Sequence, residues 1–95
     1  MTHLLYGKKY SIEITTLCSR DLGYYGCYLD PNIKYFINLQ HLSMRYGRIE
    51  IIPNDIQYLV NLVELDLSNN CISIIPSEIK YLVKLTCFTF TPLHI

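Results

Sequence analysis

No apolar run in these 95 residues approaches the roughly 20 needed to cross a bilayer as a helix. There is no excess of charge of either sign, because eight basic residues balance eight acidic ones. Without a basic surplus the chain has no bulk electrostatic hold on nucleic acid and no polybasic anchor for an anionic membrane. The N-terminus lacks an apolar stretch of signal-peptide length, so a cytoplasmic location is the default expectation. Close cysteine pairs are missing as well. Cys18, Cys27, Cys71 and Cys87 lack the spacing of a zinc site and read as reduced, unpaired thiols. Glycine is sparse, and Gly23 and Gly26 occur without the Lys-Ser or Lys-Thr that completes a phosphate-binding loop. Alanine and tryptophan are absent, against 13 isoleucines and 9 tyrosines.

What the chain does have is a spacing of 23. Leu39, Leu62 and Leu85 share one register; Leu42, Leu65 and Phe88 share a second; Met44, Leu67 and Phe90 share a third. Ile49 and Ile72, Ile52 and Ile75, Pro53 and Pro76, Ile56 and Ile79, and Leu59 and Leu82 follow the same spacing. A fixed period of this order is the mark of stacked units that cannot bury their apolar faces alone. Within a unit, Leu39 to Met44 and Leu62 to Leu67 end in apolar–polar alternation, which suits a short strand with one buried face. The same register at Leu85 to Phe90 supplies a last strand. Asn70 marks the bend after the strand, where a side-chain amide can bond main-chain groups that the turn leaves unpaired. The Ile-Pro pair then fixes φ and admits a helical start, with Ser77 to Leu82 as about one and a half helical turns whose Ile79 and Leu82 face inward.

The segment Leu-x-x-Leu-x-Leu-x-x-Asn-x-Ile-x-x-Ile-Pro-x-x-Ile-x-x-Leu-x-x, clearest from Leu62 to Lys84 and well matched from Leu39 to Asn61, resembles the leucine-rich repeat family in its intracellular 23-residue form. The resemblance implies an α/β fold: a short solenoid with a parallel β-sheet on the concave face and short helical turns on the convex face. It also implies a non-catalytic module that holds a protein partner on the concave face. One departure is Gly47, which stands where the pattern has Asn; a buried hydrogen bond is expected to be missing there, and Arg45 to Arg48 are expected to turn differently. The alanine-free, isoleucine-rich composition resembles the coding bias of an AT-rich genome, such as that of a giant DNA virus or a protist.

The pattern weakens toward the N-terminus. Leu29, Ile33 and Phe36 precede Ile52, Ile56 and Leu59 by 23, while Ile14 and Leu17 align with Leu39 and Leu42 only at 25. Pro31 is displaced by one residue relative to Pro53, so a different shape is expected for that outer turn. The resulting division is 1–13 as an N-terminal cap or hairpin, 14–38 as a divergent repeat, 39–61 and 62–84 as repeats, and 85–95 as a terminal partial repeat. Within 1–13, Gly7-Lys8-Lys9 reads as a hairpin turn, with a frayed terminus as the alternative. No polar capping segment follows Phe88 and Phe90. The second functional reading is therefore a structural or self-assembling segment that associates through its C-terminal edge, or a fragment of a longer array.

For chemistry, His41 beside Glu64 is half of a general acid–base site, with no nucleophile and supporting groups to complete it. Glu64, Asp66 and Asn69 are too widely spaced for a compact calcium cage. No catalytic, metal or cofactor site is expected. Tyr35, Tyr58 and Tyr81 follow the period on the outer side and read as a stacked packing ladder. The candidate partner-binding residues are His41, Ser43, Arg45, Tyr46, Glu64, Asp66, Ser68 and Asn69. They fall in rows across the strands: Thr16, His41, Glu64 and Cys87; Cys18, Ser43, Asp66 and Thr89; and Arg20, Arg45, Ser68 and Thr91. Asp21, Tyr46 and Asn69 fall at the strand exits. Tyr46 beside Arg45 is the strongest candidate, since both types concentrate at interface centres.

Overall fold

The computed structural model describes residues 1–22 and 28–92, with Asp21, Leu22 and Pro92 described by backbone alone. The expectations for Gly23, Gly26 and Cys27 therefore lie outside the described residues. Alternating apolar residues produce four short strands that pair in parallel, in the order β3 (Thr16–Cys18), β4 (His41–Ser43), β5 (Glu64–Ile72) and β6 (Cys87–Pro92). The pairing puts Leu17 beside Leu42, Leu42 beside Leu65 and Leu65 beside Phe88. The spacing of 25 between the first two units and 23 thereafter is thus the strand register itself. Leu17, Leu42 and Leu65 are buried under the sheet, while His41 and Glu64 stand on its other, exposed face.

After β3, β4 and β5 the chain bends and returns through a five-residue 3-10 turn: Pro31–Tyr35, Asn54–Tyr58 and Ser77–Tyr81. The helical turns are therefore of the tighter 3-10 kind, as suits so short a segment. Pro53 and Pro76 sit at the N-cap with extended ψ of 148° rather than at the first helical position. Only Pro31 occupies the first turn, and Asp30 serves as its N-cap by accepting from the Asn32 amide at 3.0 Å. The one-residue displacement of Pro31 thus changes the cap and leaves the turn's shape intact. Each turn closes alike, with the amides of Phe36, Leu59 and Leu82 donating to the carbonyls of Ile33, Ile56 and Ile79. Ile33, Phe36, Ile56 and Leu59 drive into the core between these turns and the sheet. Ile79 is only partly buried although Leu82 beside it is buried, because its outer flank has no further coil against it among the described residues.

The ladder of tyrosines does not form. Tyr35, Tyr58 and Tyr81 remain about half exposed; Tyr35 stacks on His3 at 3.8 Å, and Tyr81 lies under Lys80 of its own turn. Packed helical elements sit roughly 8–10 Å apart where paired strands sit about 4.8 Å apart. The outer side is therefore too widely spaced for ring-on-ring stacking between coils.

At the N-terminus β1 (Thr2–Leu5) and β2 (Lys8–Ser11) form an antiparallel hairpin. Its turn is Tyr6-Gly7 and not Gly7-Lys8-Lys9. Leu5 pairs with Lys8, and φ is 50° at Tyr6 and 79° at Gly7, the two positive values of a type I′ turn. Glycine accepts that geometry freely; tyrosine does not. Contacts with the first outer turn hold Tyr6 there. Its amide donates to Asp30 Oδ2 at 2.7 Å, its hydroxyl donates to the Tyr28 carbonyl at 3.0 Å, and the Asp30 amide donates to the Tyr6 hydroxyl at 3.0 Å. Leu5 is fully buried under this clamp.

Candidate functional site

The exposed face of the four-stranded sheet carries the candidate residues in the rows that the repeat register predicts. Thr16, His41, Glu64 and Cys87 pair in one row, and Cys18, Ser43, Asp66 and Thr89 in the next. The third row departs from expectation. β3 ends at Cys18, and Ser19–Leu22 closes into a short helical turn, so Arg20 sits in that turn and not on a strand.

Polar side chains meet across neighbouring rungs. His41 Nδ1 lies 3.2 Å from Glu64 Oε1, with both side chains about half exposed. Arg45 Nε lies 3.5 Å from Asp66 Oδ2 and donates to Ser68 Oγ at 3.1 Å. Asp66 Oδ1 in turn accepts from the Ser68 hydroxyl at 2.7 Å and the Ser68 amide at 3.0 Å, so Ser68 is held from both sides. Glu64 and Asp66 are thereby spent on His41 and Arg45. Among the described residues no group of three or more histidine, cysteine or acidic side chains is placed to hold a metal. Cys18, Cys71 and Cys87 are free thiols.

Tyr46 stands at the strand exit, 73 % exposed. The Arg45 guanidinium lies 5.0 Å from its ring centre and reaches its hydroxyl at 3.4 Å. Tyr46 has φ of 57°, and Asn69, at the same register one coil later, has φ of 61°. The two turns thus match, and the different turn expected at Arg45 to Arg48 is not found. Asn70 explains the match. Its buried side chain accepts from the amides of Gly47 and Ile49 and donates to the carbonyls of Met44, Leu67 and Ser68. The bend at Gly47 is therefore satisfied by the following coil's asparagine.

Positive φ was not readable from residue identity at Tyr46, although Asn69 at the same register is the signal that could have found it, since asparagine is among the few residues that tolerate this region. A second feature missed in the sequence runs along the strand entrances: Lys84 Nζ donates to Asn61 Oδ1 at 2.9 Å, and Asn61 Nδ2 donates to the Ile37 carbonyl at 3.0 Å. On the near side of Tyr46, a cavity of about 230 Å³ opens between Cys18, Ser19, Arg20, Ser43, Arg45 and Tyr46. No helix among the described residues is long and apolar enough to cross a membrane.

A comparison with curated proteins finds no match. Residues 61–82 match the family model described as Leucine Rich Repeat; the matched stretch contains β5, the Asn70 bend and the third outer turn. The chain therefore carries a leucine-rich repeat at residues 61–82.

Proposed function

We propose that the chain is a short solenoid of intracellular, 23-residue leucine-rich repeats from an AT-rich genome, and that it binds a protein partner through the concave face of its sheet. The module is non-catalytic and acts in the cytoplasm. The contact surface is His41, Ser43, Arg45, Tyr46, Glu64, Asp66, Ser68 and Asn69, with Tyr46 and Arg45 at its centre.

The observation that carries this reading is the conformation of Tyr46. A bulky residue in the left-handed region costs about 1–2 kcal/mol. Tyr6 shares that conformation, but it is clamped by Asp30 and Tyr28, and its role is structural. Among the described residues Tyr46 has Arg45 against its ring and is otherwise presented to solvent. Folding alone is better served by glycine or by the asparagine that the next coil uses. A strained, exposed aromatic ring beside an arginine is the composition of an interface anchor.

A standard interface covers about 800 Å² per partner, roughly a seventh of this chain's 5876 Å² surface. Four strands about 4.8 Å apart, most of them only three to six residues long, make a face small against that, so weak binding is expected. The test is partner capture by the wild-type chain, by Arg45→Ala/Tyr46→Ala, and by the outer-face control Tyr58→Ala/Val60→Ala. Loss in the first variant and retention in the second supports the concave site; equal capture by all three overturns it.

A second reading, self-association, draws on β6. That strand is the edge of the sheet, and Phe90 on it is 36 % exposed and in ring contact with Phe88. An open apolar edge invites pairing with another copy. Light scattering across a concentration series separates the readings: growth with concentration supports assembly, and a constant monomer mass removes it.

A further inference from the structure

We propose that the cavity between Arg20 and Arg45 is a phosphate pocket that takes a phosphorylated serine of the protein partner. This rests on the concave-face reading and makes it chemically specific. The cavity, of about 230 Å³, is walled by two guanidinium-bearing residues, the hydroxyl-bearing Ser19, Ser43 and Tyr46, and the Cys18 thiol. No carboxylate lines it among the described residues. Arginine offers only donors, and a hydroxyl can turn its hydrogen toward an acceptor. The walls are therefore matched to a group made of acceptor oxygens, and the two arginines select one that carries negative charge.

The two arginines differ in a useful way. Arg45 is held by Ser68, Asp66 and the Tyr46 ring through Nε and one terminal nitrogen; its other terminal nitrogen has no partner among the described residues. Its guanidinium is thus pre-oriented, which lowers the entropic cost of binding. Arg20 makes no ion pair or hydrogen bond among the described residues, so its charge is not already compensated there. A dianionic phosphomonoester with three acceptor oxygens can be gripped from both sides, each fork making charge-assisted hydrogen bonds. A carboxylate, with two oxygens and one charge, leaves donors unmet. Elsewhere on the face His41 and Glu64 are in contact with each other. Within the pocket, among the described residues, only Arg45 has an acidic neighbour, Asp66, so the Arg20 side of this pocket is where a negatively charged partner group gains most. A phosphorylated peptide fits better than a free anion because Tyr46 at the pocket mouth presents an apolar ring on which the flanking peptide can lie.

The experiment follows arginine Nε–Hε and backbone amide resonances of the full chain as three probes are titrated. The probes are a degenerate peptide library with one central phosphoserine, its unphosphorylated twin, and sodium phosphate. Expected are saturable shifts at Arg20 and Arg45 with the phosphorylated library alone. Arg20→Gln, an exposed position that leaves the backbone spectrum intact, weakens that binding roughly tenfold or more. Equal response to both libraries, with loss in Tyr46→Gly, keeps the face as a binding surface and overturns the phosphate pocket. No response to either library overturns both readings. A response to sodium phosphate without one to the phosphorylated library means an adventitious ion only and overturns the proposal, as does an Arg20→Gln chain that binds as before.

Discussion

Asn70 Nδ2 donates to the Met44 carbonyl at 2.8 Å across 26 residues of chain, and this bond ties one coil to the coil before it. The same side chain serves two amides through its oxygen and two further carbonyls through its nitrogen. Because the site is buried, these groups have little recourse to water once the amide is removed. Asn70→Ala leaves several of them unsatisfied at about 1–3 kcal/mol each. The expected loss of stability is roughly 3 kcal/mol or more, read from urea denaturation. Asn70→Asp keeps the acceptor but turns a carboxylate oxygen toward the Met44, Leu67 and Ser68 carbonyls, so a loss at least as large is expected. A change below about 1 kcal/mol for Asn70→Ala would remove this residue from the account of how the coils are joined.

Leu65 is fully buried between Leu42 and Phe88 in the strand ladder. A carboxylate there is an uncompensated charge in an apolar layer, which exceeds the whole stability of a chain this small. Leu65→Asp is expected to abolish the cooperative melt, while Leu65→Val costs about 1 kcal/mol and keeps it. A native-like melt for Leu65→Asp would contradict the register.

Much of this fold is legible in the sequence because its periodicity and its strand register are one fact. A side chain 23 residues on is a neighbour in the sheet, so Leu42 predicts Leu65, and His41 predicts Glu64 as its partner. What depends on backbone conformation is less legible. The hairpin turn falls one residue earlier than the Gly-Lys-Lys run suggests, because it needs positive φ at two successive residues and Asp30, far along the chain, makes that tolerable at Tyr6. Arg20 leaves its predicted row because Ser19–Leu22 satisfies its backbone as a helical turn rather than a strand exit. The tyrosines share a register yet do not touch, since equal spacing in sequence becomes a wider separation on the outer side. The candidate rows are placed by register; whether they bind is a matter of chemistry at Tyr46, which the period does not specify.

The clamp at Asp30 makes a local prediction. Asp30 accepts from the Tyr6 amide on the hairpin and from the Asn32 amide at the start of the first outer turn. Asp30→Ala removes both bonds and leaves Tyr6 in a disfavoured conformation without its support. The expected cost is about 1–2 kcal/mol by analogy with other N-cap losses. Hydrogen exchange should show where it falls: protection lost from Lys8 to Ser11 and kept from Glu64 to Leu67. Uniform loss across both segments would mean that the hairpin and the sheet open as one unit.

Tyr46 separates stability from function most cleanly. At φ of 57° a tyrosine is strained, and glycine relieves that strain. Glycine also gives the unfolded chain more freedom, which offsets part of the gain. The ring's contact with Arg45 is exposed and adds well under 1 kcal/mol. Tyr46→Gly should therefore be neutral to about 1 kcal/mol stabilising, against the destabilisation usual for removing a large aromatic residue. Tyr46→Asn, which copies Asn69 one coil on, should behave the same way. Both variants should lose partner capture. Higher or equal stability with lost capture is the signature of a residue retained for contact at the expense of folding. If instead Tyr46→Gly melts several degrees lower, the ring is packing that the fold needs, and its conformation no longer argues for an interface.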